Sequence, residues 1–183
     1  MKLGKIGVLI ACAAVAFAGV TGCSTAPKSE GDKAALTQDV NTALSKARAS
    51  DPSLDGFLKK AHGYAVFPSV GKGAVGVGGA YGRGEVFENG RMIGYCDLSQ
   101  GTIGLQLGGQ AYSEIIAFET KESLDKFKKS EFAFSAQATA VALKSGAGAT
   151  AKYTNGVAVF TMSQQGLMLE ASIGGQSFTF QPL

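Results

Sequence analysis

The chain has 183 residues, 45% of them hydrophobic and 17% charged, and it contains no tryptophan. This length and apolar content suffice for one domain with a substantial core. The formal net charge of +3 is too small to indicate a nucleic-acid-binding protein.

The first 22 residues have the layout of a secretory signal peptide. Lys2 and Lys5 precede an uncharged run of small and apolar residues from Ile6 to Val20. A membrane-spanning helix needs ~20 apolar residues, so a permanent transmembrane helix is the weaker interpretation. Loss of this segment removes both lysines and leaves a nearly neutral mature chain.

The run ends in Val20-Thr21-Gly22-Cys23, which resembles the lipobox of bacterial lipoproteins. In that family the cysteine thiol receives a diacylglycerol and the chain is cut before it. We therefore expect Cys23 to be the lipidated first residue, with palmitate-type acyl chains and firm membrane attachment. An ordinary signal peptide with an incidental cysteine is the alternative. Ser24, where enteric sorting would use Asp for inner-membrane retention, predicts the outer membrane, facing the periplasm.

Cys96 is the third cysteine, besides Cys12 in the signal segment and the lipidation candidate Cys23. The mature chain therefore cannot form an intramolecular disulfide, and we expect Cys96 to be an inert thiol within a strand.

Two helices are predicted after a polar linker, residues 23–32, that would carry the lipidated cysteine. With Asp32 as N-cap, apolar residues recur at helical spacing as far as Asp51 and Pro52. A shorter helix follows, with Ser53 as its N-cap and Gly63 as a candidate C′ residue. We expect both apolar stripes to pack on a sheet, with membrane contact as the alternative.

A glycine-rich β region follows, with 14 glycines between Gly63 and Gly109. Asn89-Gly90 indicates a type I′ hairpin. A two-residue loop would pair Glu88 with Arg91, Phe87 with Met92, Val86 with Ile93 and Gly84 with Tyr95. Apolar residues then lie on both faces, which predicts a ribbon with a helix covering one side. The glycines serve either a bent, tightly packed sheet or close approach of a ligand to the backbone.

The rest of the chain predicts further strands and one inserted helix. We expect two strands in residues 102–118, a helix capped by Thr120, and a strand rather than a helix in residues 131–150. Turns at Asn155-Gly156, Gln165-Gly166 and Gly174-Gly175 bracket three strands, the last two read as an antiparallel pair. The predicted class is α+β: a curved or partly closed antiparallel sheet with two N-terminal helices and one short inserted helix, in one domain over residues 33–183.

No motif in the sequence carries catalytic chemistry. The run from Gly71 to Gly76 matches G-x-G-x-x-G but lacks a following helix, and Gly73 after Lys72 excludes a Walker loop. His62 is the only histidine, so neither a histidine-rich metal site nor a serine–histidine relay is expected. We predict a protein that is not an enzyme and has no cofactor; a hydrolase that uses His62 would need a nucleophile beside it.

Several segments together resemble the SYLF domain family of lipid-binding proteins, over roughly residues 36–182. They are His-Gly-Tyr-Ala-Val-Phe-Pro (62–68), Gly-Ala-Val-Gly-Val-Gly-Gly-Ala-Tyr-Gly-Arg-Gly (73–84), Ile-Gly-Tyr (93–95), Gly-Leu-Gln-Leu-Gly-Gly-Gln (104–110), Leu-Asp-Lys-Phe (124–127) and Gln-Gly-Leu-Met (165–168). The resemblance implies binding of membrane lipids. Eukaryotic relatives bind phosphoinositides and act at actin patches, partners that bacteria largely lack.

A phosphate headgroup would be bound by cations beside exposed backbone N–H groups. In and beside the glycine-rich region the candidates are Lys59, Lys60, Lys72 and Arg83. The sequence thus predicts a non-catalytic, lipid-anchored protein that binds anionic lipid. A structural scaffold that binds another envelope protein through a sheet edge is the alternative.

Overall fold

The computed structural model describes residues 26–71, 80–100, 111–134, 139–163 and 171–183. The signal peptide and lipobox, Lys72, the rest of the glycine pattern up to Gly76, the first strand expected within 102–118 and the turn at Gln165-Gly166 all lie outside these residues.

Four helices and eight strands are present in the described residues. The helices are α1 (Glu30–Ser50), α2 (Ser53–Lys60), α3 (Lys121–Lys128) and α4 (Ala147–Thr150). The strands are β1 (Gly63–Gly71), β2 (Ala80–Glu88), β3 (Arg91–Gln100), β4 (Tyr112–Phe118), β5 (Thr139–Ala142), β6 (Val157–Ser163), β7 (Ala171–Ser172) and β8 (Gln176–Pro182).

The strands form one open sheet in the order β7-β5-β6-β4-β1-β2-β3-β8. The two outermost strands, β7 and β8, are separated along the chain only by residues 173–175. So short a connection brings the two edges of the sheet close together, and the sheet is therefore strongly curved. The predicted α+β class, with a curved sheet, two N-terminal helices and an inserted helix, is confirmed.

Two apolar layers lie on the two faces of the sheet. The concave interior contains Phe67, Ile116, Phe118 and Phe178, together with Phe127 of α3. On the convex face, α1 and α2 pack their apolar stripes over β1, β4 and β6. The stripes on both N-terminal helices are thus used in packing, as the sequence predicted.

The sheet has two ends that differ in what lies there. At the end that we call the hairpin end, Gly63 of β1 pairs with Glu88 and with Phe118, and Pro182 pairs with Gly94. The opposite end, called the distal end, contains the pairs Ala80–Gln100, Tyr112–Ser163 and Gln100–Gln176. Helix α3 packs near the hairpin end, where β4 leads into it.

The Asn89-Gly90 hairpin is present with positive φ at both residues, as the sequence predicted. Its register is correct only next to the turn, because Glu88 pairs with Arg91 and Phe87 with Met92. Beyond them a bulge at Ile93 shifts the pairing, so Val86 opposes Gly94 and Gly84 opposes Cys96. The predicted pairs Val86–Ile93 and Gly84–Tyr95 are wrong, since the bulge inserts one residue.

Two strand glycines are explained by close approach of neighbouring backbone. A Cβ on Gly84 would lie 2.2 Å from the Val66 carbonyl oxygen, and one on Gly94 would lie 2.3 Å from that of Gln181. At these two positions glycine therefore serves sheet packing.

Several other local predictions differ from the structure. Helix α1 begins at Glu30 with Ser29 as N-cap, not after Asp32. The caps predicted for α2 are wrong by one residue, because its N-cap is Pro52 and its C-cap is Ala61. Part of residues 131–150 is strand β5, but Ala147–Thr150 is helical and β5 runs parallel to β6. Strands β7 and β8 do not pair with each other: β7 pairs with β5 and β8 with β3. Local alternation cannot reveal such partners, because they come from distant parts of the chain.

Candidate membrane-facing site and a buried polar cluster

The chain is fixed to the domain three residues after Cys23. The Ala26 backbone N–H donates to Gln181 Oε1 at 3.0 Å, and Ala26 packs against the convex-face cluster. Pro27 is buried, and the Ser29 hydroxyl accepts from the Asp32 N–H at 3.1 Å. The polar segment that the sequence suggested as a linker is thus folded from Ala26 onward.

Gln181 lies one residue from the end of β8, at the hairpin end of the sheet. Three peptide steps join Cys23 to Ala26, and an extended chain spans at most ~3.6 Å per residue. Three such steps span at most roughly 11 Å. A lipid on Cys23 would hold the hairpin end close to the bilayer.

The structure does not bring the four predicted headgroup cations together. Lys59 and Lys60 end α2 next to the hairpin end, and Lys59 Nζ pairs with Asp55 Oδ2 at 2.7 Å. Arg83 lies towards the distal end of β2, where its Nε pairs with Asp97 Oδ1 at 3.1 Å. Lys72 is not described. Of the three that are described, only Lys60 is exposed and without an ion pair there.

Two further cations lie at the hairpin end, and the headgroup candidates chosen from the sequence did not include them. Arg91 begins β3 directly after the hairpin turn, and Lys129 follows α3 beside Phe180 and Pro182 of β8. Both are exposed, and neither forms an ion pair with a described residue. The hairpin signal itself could have located Arg91, because a residue next to a turn lies at a sheet end.

The other lysines of α3 are neutralised locally. Lys121 and Lys128 both bind Asp125, and Lys126 binds Glu122 at 2.8 Å. Hydrogen bonds from Lys121 and Lys128 lower the pKa of Asp125 to about 2. Because these lysines are already paired with carboxylates, they are poor candidates for binding an anion.

His62 and Cys96 have structural surroundings. His62 Nε2 lies 2.9 Å from Glu88 Oε1, next to the start of β1. Cys96 is fully buried in the interior, and burial raises the pKa of its thiol. No serine hydroxyl hydrogen-bonds to His62 in the described residues. The described ranges also contain no cluster of three or more His, Cys, Asp or Glu side chains that could hold a metal ion.

A polar cluster interrupts the apolar interior near the distal end. Gln176 Nε2 donates to Glu114 Oε2 at 3.0 Å and to the Tyr112 hydroxyl at 3.1 Å, which ties β8 to β4 across the concave face. Thr161, also fully buried, is the direct partner of Glu114 on β6. Burial raises the pKa of Glu114 to about 7 against the opposing effect of hydrogen bonds from Gln176 and Tyr112. No sequence motif indicated this cluster.

A second buried carboxyl, Glu85, lies on the convex face beneath α1. The Thr37 hydroxyl donates to Glu85 Oε1 at 2.6 Å, and burial raises the Glu85 pKa despite this bond. This contact links the first half of α1 to β2.

None of the helices in the described part of the chain is long and apolar enough to cross a membrane.

Comparison with known proteins places the chain in a family. Residues 99–182 match the family model Ysc84, described as a Las17-binding protein actin regulator. The chain is also 30% identical over 149 residues to beta cell expansion factor A of Aeromonas veronii, across 79% of this chain and 55% of that protein. The chain thus spans about half the length of this curated relative. The resemblance seen in the sequence motifs is confirmed: the chain carries a domain of the SYLF family, which the family model matches over residues 99–182.

Proposed function

We propose that the protein is a non-catalytic lipoprotein, anchored through acylated Cys23, whose domain binds anionic lipid headgroups at its hairpin end. Membership of the SYLF family fits lipid binding in general. We further propose that the lipoprotein resides in the outer membrane and faces the periplasm.

The observation that carries this proposal is the hydrogen bond from the Ala26 N–H to Gln181 Oε1. It fixes the chain at the hairpin end, so an acyl group on Cys23 would bring that end to the bilayer. Three exposed cations at this end, Lys60, Arg91 and Lys129, have no ion-pair partner among the described residues. They are available to phosphate groups, to which ammonium and guanidinium groups donate charge-assisted hydrogen bonds.

The expected strength follows from surface electrostatics. A basic residue held near an anionic membrane contributes about 1 kcal/mol, and the contribution falls with salt. A few such residues give only weak binding on their own, so the acyl chains would provide attachment while the cations would orient the domain. Arg83 is less available to a headgroup, because it is already paired with Asp97.

The first test uses the chain from Ser24 to Leu183, which lacks the acylation site and retains every described residue. Co-sedimentation is measured on phosphatidylcholine vesicles and on equal mixtures with phosphatidylglycerol, at low and high salt. We expect binding only to the anionic vesicles, and less of it at high salt. The double variant Arg91→Ser/Lys129→Ser removes about 2 kcal/mol and should weaken binding roughly thirtyfold.

The matched control is Lys46→Ser/Lys144→Ser, which removes the same charge from exposed lysines away from the hairpin end. It should change vesicle binding far less than the hairpin-end variant. Equal weakening by both variants would mean that net charge, and not this surface, drives binding. No binding to any vesicle would remove the headgroup proposal and favour a scaffold that binds a protein partner.

Anchoring is tested separately by mass spectrometry of the N-terminus of protein extracted from membranes. We expect the N-terminal peptide to carry the mass of a lipid on Cys23. We also expect that the Cys23→Ser variant is no longer found as processed protein in the membrane fraction. An unmodified Cys23 in membrane-extracted protein would refute the anchor without affecting the vesicle result.

A further inference from the structure

The interior contains a buried carboxyl whose charge is not matched by its surroundings. Glu114 is fully excluded from solvent. Its Oε2 accepts from Gln176 Nε2, and it also hydrogen-bonds the Tyr112 side chain. Its other oxygen, Oε1, has no hydrogen-bond partner among the described residues, and the same holds for Thr161 Oγ1 and Gln176 Oε1. Four polar side chains therefore share a site with three unpartnered atoms.

This arrangement suits a neutral acid and disfavours a carboxylate. A buried ionised oxygen without a donor loses its hydration energy and gains no hydrogen bond to replace it. A neutral carboxyl loses much less hydration energy on burial. A cation on the interior face would change this balance. The described residues that line the interior beside Glu114 are Phe67 of β1, Tyr112 of β4, Val159 and Thr161 of β6, and Gln176 and Phe178 of β8.

Among the core residues described in this interior, two others can titrate, namely Tyr112 and Cys96. Both are neutral near pH 7, because burial raises the pKa of each above its ordinary value. Glu88 of β2 lies at the hairpin end, where it pairs with His62 and Lys128. The nearest charged side chains on β2 and β3, Glu85 and Asp97, lie on the convex face, where they bind Thr37 and Arg83. Neither supplies a positive charge to Glu114.

We propose that Glu114 is a proton-operated latch: as a neutral acid it holds β8 against β4 across the interior, and its ionisation loosens the distal end of the sheet. The contacts affected are the hydrogen bonds from Gln176 to Glu114 and Tyr112, which join two strands, β8 and β4, with three other strands between them in the sheet order. The distal end is the end away from Ala26, so the latch acts on the part of the domain opposite the proposed membrane contact. It does not depend on lipid binding.

The direction of the pH dependence follows from the raised pKa. A group whose folded-state pKa lies above its unfolded value stabilises the fold fully below the unfolded pKa, and this contribution is lost as pH rises through the folded pKa. For Glu114 the loss runs from its ordinary value of 4.5 to about 7. Most of the change therefore falls in the weakly acidic to neutral range, above the titration of the surface carboxylates.

The test is hydrogen exchange, followed by mass spectrometry on the full chain in neutral detergent and corrected for the intrinsic pH dependence of exchange. Between about pH 5.5 and pH 8, we expect opening of peptides from β4 and β8 to increase roughly tenfold or more. In Glu114→Gln, which remains neutral, opening of the same peptides should stay constant. Peptides from α3 should change little in either protein.

The control Glu122→Gln removes an exposed carboxylate from α3 and should respond to pH as the wild type does. A second control, Glu85→Gln, removes the buried carboxyl of the convex face. We expect this substitution to change hydrogen exchange in peptides of α1 and β2. A direct carbon-13 NMR titration of the Glu114 carboxyl in the wild type is independent of how well any variant folds. Titration near 4.5, or the same pH response in Glu114→Gln as in the wild type, would overturn the latch.

Discussion

Asp51 and Glu114 are both fully buried carboxyls, yet their surroundings favour opposite charge states. At the junction of α1 and α2, Asp51 accepts from the Ser53 N–H and hydroxyl and from the Gly146 and Gly148 N–H groups. Burial opposes its ionisation, but these donors outweigh burial and hold the Asp51 pKa below its usual value. Among the described residues, Glu114 has only Gln176 and Tyr112 as donors, and burial raises its pKa.

The comparison shows that donor count, and not burial alone, decides the charge of an interior carboxyl. Asp51 lies where a helix begins and a tight turn ends, and both present free backbone N–H groups. Glu114 lies in the middle of a paired strand, where the neighbouring N–H groups are already used in the sheet. Asp51 is therefore a charged group that holds the helix junction to the turn through hydrogen bonds, whereas Glu114 is a neutral acid.

The largest expected effect on stability comes from removing the Asp51 carboxylate. Asp51→Ala leaves three backbone N–H groups without their acceptor at a buried junction, and we expect a loss of about 3 kcal/mol in the free energy of unfolding. Urea denaturation measures it. Asp39→Asn, at an exposed position on the same helix, should change stability by less than ~0.5 kcal/mol. A similarly small loss for Asp51→Ala would mean that the four hydrogen bonds are weak in solution.

A pH series on Asp51→Asn sharpens the comparison. The amide retains one acceptor oxygen, so we expect a smaller loss of about 2 kcal/mol near neutral pH. A lowered pKa means that the contribution of the carboxylate is present above the unfolded value, near 3.8, and is lost as pH falls through the folded value. The stability gap between wild type and Asp51→Asn should therefore narrow below about pH 4. A constant gap from neutral to acidic pH would contradict an ionised Asp51.

The sequence predicted the local elements much better than the partners of each strand. The helical stripes on Leu36–Ala47, the Thr120 cap and the Asn89-Gly90 turn each have a local cause, so they were predicted correctly. The pairing of β8 with β3 joins segments about 80 residues apart, and alternation alone carries no information on such a partner.

The candidate site was less predictable for the same reason. Their position in and beside the glycine-rich region suggested Lys59 and Arg83 as headgroup ligands. Each has an acidic partner, Asp55 one turn earlier on α2 and Asp97 on the neighbouring strand. Whether a cation is free depends on such neighbours. The position of the hairpin end next to Ala26 depends on a contact to Gln181 that is 155 residues away in the chain, which no local pattern could indicate.

The smallest expected effect probes the unpartnered atoms beside Glu114. Thr161 Oγ1 is buried and has no hydrogen-bond partner in the described part of the chain, so Thr161→Val replaces an unsatisfied hydroxyl by a methyl group of similar size. Such a hydroxyl costs about 1 kcal/mol or more when buried without a partner, and we expect the variant to be more stable by up to ~1 kcal/mol. Chemical denaturation at about pH 5.5 and pH 8 measures the gain. If Thr161→Val is instead destabilised by about 1 kcal/mol or more, the hydroxyl has a partner in solution, and the polar cluster is better satisfied than its described contacts indicate.

The gain in stability should be nearly independent of pH, since the valine leaves the titration of Glu114 in place. A gain in stability seen only at the higher pH would show that the hydroxyl destabilises the ionised form of Glu114 specifically. The ionisation of Glu114 would then be coupled to the Thr161 hydroxyl.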